Sequence, residues 1–158
     1  RLVQREIEPL IVEREERIAS ASGRSRLRLQ NRRGTGYARY GRYDQAQQHF
    51  LDASLAGLGQ ATFNLGNIAF LEGDFEEALG FYEQALEEMP ADATVLVSIA
   101  KAQFELQNYS EATRYYELSR DENPEVAGEF AYIIGASSDT GRASSAMQRG
   151  SVLWGDDE

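Results

Sequence analysis

Small, aromatic and proline residues recur along this chain at intervals of 34 positions, with polar residues between them. The first set consists of Gly66, Gly73, Asp74, Phe75, Ala78, Tyr82, Ala85 and Pro90. The set 34 positions later consists of Ala100, Gln107, Asn108, Tyr109, Ala112, Tyr116, Ser119 and Pro124. A period of this length, with small residues alternating with aromatic ones at helical spacing, is typical of stacked helical hairpins rather than of a closed globular core.

Within one repeat, the residue types predict two helices, which we call A and B. Leu65, Gly66 and Ala69 recur at a spacing of three to four residues and therefore share one face of helix A. Gly73 can adopt the left-handed backbone that ends a helix, and Asp74 can cap the helix that follows. The buried face of helix B is predicted to consist of Ala78, Tyr82 and Ala85.

Two further copies flank these repeats. The upstream copy has matching residues 32 positions earlier, at Gly34, Tyr37, Gly41, Tyr43, Ala46, Phe50 and Ala53. Downstream of Pro124 the pattern fades, because Ala143 and Gly150 stand where the other copies carry aromatic residues. The predicted units are about 27–58, 59–92 and 93–126, followed by a degenerate or capping hairpin at 127–154.

Residues 1–24 do not follow the repeat and are predicted to form an N-terminal helix and a linker, ahead of an array at 25–158. Apolar residues from Leu2 to Ile18 can share one helical stripe, although Pro9 interrupts it. Two roles are open for this helix. It is either an end cap over the first hairpin, which we favour, or a surface for self-association or for folding back onto the array.

The repeats resemble those of the tetratricopeptide repeat family, and the resemblance covers about residues 27–154. It implies an all-α fold: a right-handed α-solenoid of stacked antiparallel helix hairpins, here with an N-terminal capping helix. It also implies that the A helices line a concave groove that binds peptides or segments of partner proteins, without catalysis by the repeats. The fold does not specify the partner.

The family's geometry places a defined set of side chains in this groove. The predicted groove residues are Arg28, Arg32, Arg39, Gln60, Phe63, Asn64, Asn67, Phe70, Lys101, Phe104 and Tyr132. The concave positions also include Asn31, Thr35, Thr94, Val97 and Ser98. An asparagine amide can donate to and accept from a peptide backbone, and aromatic rings can fill side-chain pockets. The alternative is that Phe63, Phe70 and Phe104 only cover the junctions between adjacent A helices.

The charges are distributed unevenly along the chain. Residues 1–42 contain 11 arginines and 5 acidic residues, whereas residues 43–158 contain 5 basic and 21 acidic residues, for a net charge of −10. Three interpretations of the basic part are open: a solvated helix face, which we favour, a site for an acidic peptide, and a nucleic-acid site. Long-range repulsion between an acidic chain and phosphate makes the nucleic-acid interpretation the weakest.

Composition limits the remaining functions of a chain that we expect to form one domain. There is no cysteine among the 158 residues, which excludes disulfides and thiolate metal sites, and no apolar run approaches the roughly 18 residues of a membrane span. His49 is the only histidine and has no second ligand, so we expect no metal, no cofactor and no enzymatic activity. A bacterial cytoplasm and, if a leader has been removed, a periplasm or cell envelope are both open.

Two functions follow as expectations. The favoured one is a non-catalytic scaffold or adaptor that binds a peptide or partner-protein segment in the groove, with an acidic segment as one candidate. The alternative is a structural or assembly subunit that self-associates into a homo-oligomer, or docks into a larger complex, through its terminal helices. Changes in the groove would disable the first, whereas deletion of residues 1–22 or changes around Trp154 would disable the second.

Overall fold

The computed structural model describes residues 23–134 and 152–155. This part of the chain contains seven α-helices and one turn of 3-10 helix, and none of its residues lies in a strand. The helices are α1 (Gly23–Arg39), α2 (Tyr43–Leu55), α3 (Gly59–Glu72), α4 (Phe75–Glu88), α5 (Ala93–Glu105), α6 (Tyr109–Glu122), α7 (Pro124–Gly128) and the 3-10 turn Ala131–Ile133.

Consecutive helices pack in pairs, so that α1 with α2, α3 with α4 and α5 with α6 form three successive hairpins. In addition, α2 packs on α3 and α4 packs on α5, which stacks the hairpins in chain order. The predicted all-α stack of helix hairpins is therefore confirmed. Helices α1, α3 and α5 correspond to the A helices of the sequence analysis, and α2, α4 and α6 correspond to the B helices.

The turn between α3 and α4 has the backbone that its sequence predicts. Gly73 ends α3 in the left-handed region, with φ of 86°, and the Asp74 carboxylate accepts a hydrogen bond of 3.2 Å from the Glu77 N–H. In the next repeat Gln107 adopts the same left-handed region, with φ of 63°, and the Asn108 side chain does not cap α6. The turn is therefore retained without glycine, at the cost of backbone strain.

Each hairpin buries one aromatic ring of its B helix between two small residues of the same helix. The rings are those of Phe50, Tyr82 and Tyr116, which are at most 4% exposed. The small residues four positions before and three positions after each ring are all fully buried: Ala46, Ala53, Ala78, Ala85, Ala112 and Ser119. The small and aromatic positions of the repeat are therefore the positions of the core.

The A and B helices approach each other most closely where the A helix carries glycine. A Cβ atom added to Gly66 would lie 2.6 Å from two ring atoms of Tyr82, and one added to Gly34 would lie 2.4 Å from Phe50 Cε1. These distances are shorter than van der Waals contact, so the rings occupy the space that a side chain would need. The third repeat has Ala100 at this position, in the same buried cluster as Tyr116.

Parts of the predicted organisation lie outside the described residues. These parts are most of the N-terminal unit 1–24 and most of the fourth unit 127–154. Helix α1 begins at Gly23, so the last residues of the expected linker are helical. Residues 152–154, which were assigned to the end of the fourth unit, and residue 155 have no regular secondary structure. The boundaries of the units remain predictions.

We predict that Gly66→Ala lowers the free energy of unfolding by about 1–3 kcal/mol, because the new methyl group overlaps the Tyr82 ring. Gly80→Ala is the matched control on α4, where nothing lies within 4 Å of an added Cβ. That change should raise the free energy of unfolding by about 0.5–1 kcal/mol through helix propensity. Urea denaturation of both variants checks the pair, and equal effects of the two substitutions would contradict the close approach of α3 and α4.

Candidate functional site

Residues Val152–Gly155 lie against α1 and α3, although they are far from both helices in the sequence. We call these four residues the tail segment. They contact a surface that we call the groove, which is formed by Asn31, Gln60, Phe63, Asn64 and Asn67. The groove is therefore built from the first two A helices, and four of its five residues are among the predicted groove residues.

Asn64 binds both backbone polar groups of a single residue of the tail segment. Its Nδ2 donates to the Gly155 carbonyl oxygen at 2.9 Å, and its Oδ1 accepts from the Gly155 N–H at 2.7 Å. Asn31 Nδ2 donates to the same Gly155 carbonyl at 2.8 Å, and the two asparagines are joined by a bond of 2.9 Å from Asn64 Nδ2 to Asn31 Oδ1. The two amides thus act as one unit around Gly155.

Asn67 extends this pattern by two residues along the tail segment. Its Nδ2 donates to the Leu153 carbonyl oxygen at 2.7 Å. In an extended chain the N–H and C=O of one residue point to the same side, as do those of the residue two positions away. The bonds to Leu153 and to both backbone groups of Gly155 therefore indicate that the groove holds the tail segment as an extended peptide.

Tyr82 fixes the orientation of the Asn67 amide. The Tyr82 hydroxyl donates to Asn67 Oδ1 at 2.8 Å, which turns the amide NH₂ group toward the tail segment. Burial raises the pKa of the Tyr82 hydroxyl well above its usual range, so this hydroxyl remains a donor at physiological pH. A core side chain of α4 thereby positions a groove side chain of α3.

The side chains of the tail segment differ in how tightly the groove surrounds them. The Trp154 ring stacks on the Phe50 ring, with centroids 6.1 Å apart and planes 21° apart. A Cβ atom added to Gly155 would lie 3.1 Å from Phe63 Cδ1 and 3.4 Å from Asn64 Oδ1. The position of Gly155 therefore has little room for a side chain, whereas the position of Trp154 offers an aromatic surface.

Space remains beside the tail segment. A cavity of about 300 Å³ lies next to it. Apart from residues of the tail segment, the cavity is lined by Gln60, Phe63, Met89, Asp92, Thr94 and Val95. Residues of the second and third repeats thus leave open space alongside Leu153, Trp154 and Gly155.

Four of the predicted groove residues lie in a separate, packed cluster. The Lys101 ammonium lies 4.8 Å from the ring centroid of Phe70 and 5.0 Å from that of Phe130. Phe104 makes edge contacts with Tyr132 at 5.5 Å, and Phe70 and Phe104 are at most 5% exposed. This cluster is in line with the alternative that the rings cover helix junctions, and a partner-binding role for it remains a prediction.

The three predicted arginines, Arg28, Arg32 and Arg39, are exposed on α1. That helix contains six arginines and no acidic residue between Gly23 and Arg39. Asn31, which contacts Gly155, lies between Arg28 and Arg32 in the sequence of the same helix. The end of the tail segment at Gly155 is therefore next to the most basic described helix.

His49 has a structural environment in the described part of the chain. Its Nδ1 lies 2.8 Å from Gln30 Nε2, and its ring stacks on Tyr37 with centroids 5.4 Å apart. Among residues 23–134 and 152–155, no group of three histidine or acidic residues is arranged to hold a metal ion. The same residues include no helix with the length and apolarity that a membrane span requires.

Sequence reasoning did not identify the tail segment as the occupant of the groove. It assigned Trp154 to the end of a hairpin, whereas the structure places the Trp154 ring on Phe50. The available signal was the only tryptophan of the chain, preceded by Val152 and Leu153 and followed by a glycine and three acidic residues. That segment therefore lacks the alternation of small and aromatic residues that marks a B helix in the other repeats.

Comparison with protein families agrees with the fold. Residues 69–132 match the family model of the tetratricopeptide repeat. This part of the chain, from the end of α3 to the 3-10 turn, therefore consists of tetratricopeptide repeats, as the sequence analysis predicted. Such repeats generally mediate protein–protein interactions and are typically non-catalytic. No curated protein matches the chain.

We predict that Asn64→Ala releases the tail segment, because it removes both hydrogen bonds of Asn64 to Gly155 and the bond to Asn31. Trp154 is the only tryptophan, so its emission maximum should shift toward that of the unfolded chain while the helical circular dichroism is retained. The loss of stability should be about 1–3 kcal/mol. Gln84→Ala, an exposed amide on α4, is the control and should change neither signal. Unchanged Trp154 emission in Asn64→Ala would contradict this role of the amide.

We also predict that Lys101 makes the stability depend on pH. Burial lowers the pKa of Lys101 to about 8, against an opposing effect of the Glu105 charge. The unfolded chain keeps the proton up to a pKa near 10.5, so folding releases it above pH 8 and the free energy of unfolding rises with pH. The rise between pH 7 and 9.5 should be about 1–2 kcal/mol in urea denaturation. Lys101→Met should lack this component, and an equal rise in both proteins would contradict the assignment.

Proposed function

We propose that this protein is a non-catalytic scaffold whose groove binds an extended segment of a partner protein. The observation that carries the proposal is the set of four hydrogen bonds between the side chains of Asn31, Asn64 and Asn67 and the backbone of the tail segment. A tetratricopeptide array that binds a peptide of its own chain in this way has the chemistry to bind a similar peptide from another protein.

The bonding groups of the groove are suited to a peptide backbone. A primary amide presents one acceptor and two donors, which complement the C=O and N–H of an extended residue. Asn31, Asn64 and Asn67 are fully buried while the tail segment is bound. Because buried amides need partners, a ligand that fills the groove must supply backbone groups at the same places. Recognition of this kind gives affinity through the main chain and specificity through adjoining pockets.

The surroundings of the groove favour a partner segment longer than the tail segment. The cavity of about 300 Å³ beside Leu153 offers space for further side chains. At the other end, the arginines of α1 favour acidic residues after the position of Gly155, since guanidinium groups bind carboxylates in planar pairs. We therefore propose an acidic partner segment. The assembly role through the terminal helices depends on parts of the chain outside the described residues and remains a prediction.

The test requires a protein whose groove is accessible. We define the released variant as the 158-residue chain with Trp154→Ala and Gly155→Pro. The first change removes the stack on Phe50, and the second removes the N–H that binds Asn64. This background is necessary because in the unaltered chain a groove substitution weakens the tail segment and the partner together, and the two effects cancel in the measured affinity.

We predict that peptides selected on the released variant from a random nonapeptide library bind at least about fivefold more weakly when Asn64→Ala is added. The reason is the loss of the paired bonds to one ligand residue, worth about 1–3 kcal/mol. Adding Gln84→Ala instead should leave the affinity unchanged. Isothermal titration calorimetry gives each dissociation constant. Equal affinities for the Asn64 and Gln84 variants would show that the selected peptides bind outside the groove and would contradict the proposed function.

A further inference from the structure

We infer that the tail segment is a resident competitor for the groove, and that it displays the pattern that a partner must carry: an aromatic residue followed directly by glycine, in an extended segment. This inference depends on the proposed function and adds to it the class of partner and the regulation of the site.

The tail segment is held like a ligand rather than like part of the core. All four of its residues are only half-buried, whereas core residues such as Phe50 and Ala53 are fully buried. Its hydrogen bonds run from groove side chains to its backbone, at Leu153 and Gly155. Although Val152, Leu153 and Trp154 each pack against the core from outside, a half-buried segment opens at lower free energy than the fully buried core that supports it. The segment can therefore leave the groove while the hairpins stay folded.

Two positions of the tail segment carry the side-chain specificity. The Trp154 ring stacks on the ring of Phe50. With Trp154 in place, Phe50 is fully buried. At Gly155, a side chain would press on Phe63 and on the Asn64 oxygen that accepts the Gly155 N–H. A bulky side chain there would require Phe63 or the bound backbone to move, and a movement of the backbone would weaken the paired hydrogen bonds. We therefore assign the recognition pattern to the aromatic–glycine pair, while the side chains of Val152 and Leu153 add apolar packing against the core.

The three residues that follow Gly155 are Asp156, Asp157 and Glu158. They follow Gly155, whose carbonyl oxygen accepts a hydrogen bond from Asn31 of α1. Arg28 precedes Asn31 by one helical turn, on the same face of α1. Carboxylates after the aromatic–glycine pair complement this basic helix. The partner segment that fits the groove is accordingly an aromatic residue, a glycine and then acidic residues.

Covalent connection makes even a weak segment an effective competitor. Residues 135–151 join the tail segment to the array, and binding within one chain corresponds to an effective concentration on the order of 1 mM. A free peptide must compete with that concentration. If the intrinsic dissociation constant is on the order of 0.1 mM, the tail segment lowers the apparent affinity of an external peptide about tenfold. A stronger partner displaces the segment and a weaker one does not.

The experiment uses a fluorescein-labelled peptide with the sequence of residues 150–158. The peptide is titrated with the unaltered 158-residue chain and with the released variant, and binding is measured by fluorescence anisotropy. We expect the peptide to bind the released variant about tenfold or more tightly than the unaltered chain. Two altered peptides, with Trp154→Ala or with Gly155→Val, should each bind the released variant at least about tenfold more weakly. A second released protein, with Gly155→Leu alone, checks that the gain does not depend on one pair of substitutions.

The outcomes separate this inference from the proposed function. Equal affinity of the peptide for the unaltered chain and the released variant would overturn the competitor role and leave groove binding intact. Failure of the peptide to bind any released protein that retains its helical circular dichroism would overturn the recognition pattern, while library-selected peptides would still decide the proposed function. Binding to the released variant that is unaffected by Asn64→Ala would overturn both, because the peptide would then occupy another surface.

Discussion

The packing of Tyr82 against Gly66 is the contact that joins the core of this protein to its groove. The ring lies where a side chain at position 66 would be, so α3 and α4 can approach closely. The hydroxyl of the same residue donates to Asn67 Oδ1 and sets the direction in which that amide donates. Helix packing and groove geometry therefore depend on one residue, and the fold holds its polar groups in place before any partner arrives.

The three hairpins share a core but not a groove chemistry. The counterparts of Asn64 and Asn67 in the third repeat are Ser98 and Lys101. Ser98 Oγ donates to the Thr94 carbonyl of its own helix, and Lys101 lies between the rings of Phe70 and Phe130. The amides that bind the tail segment, Asn31, Asn64 and Asn67, thus lie on the first two A helices, and the third repeat closes this part of the array with aromatic packing.

The fold could be predicted because each repeat position has one steric role. Gly66, Gly73 and Tyr82 appear in the sequence for reasons that hold within a single hairpin: close approach, a left-handed turn and a filled gap. The groove could be predicted only in part. Asn64 follows from the family's geometry, but no local rule brings Trp154 to Phe50, because that contact joins residues about a hundred positions apart. The environment of Phe70 and Phe104 likewise includes neighbours from other repeats, Lys101 beside Phe70 and Tyr132 beside Phe104.

The backbone contacts of Asn64 have a consequence for how a partner of this protein could evolve. Both backbone groups of Gly155 are bound by one amide, and the Leu153 carbonyl is bound by a second. Substitutions that leave the main chain in place would hardly alter these hydrogen bonds, whereas a bulky side chain at the glycine would press on Phe63 and on the amide itself. For a partner bound in this way, natural selection would act most strongly on the aromatic–glycine pair and on the acidic residues that follow it. Related partners would then share this short pattern and little else.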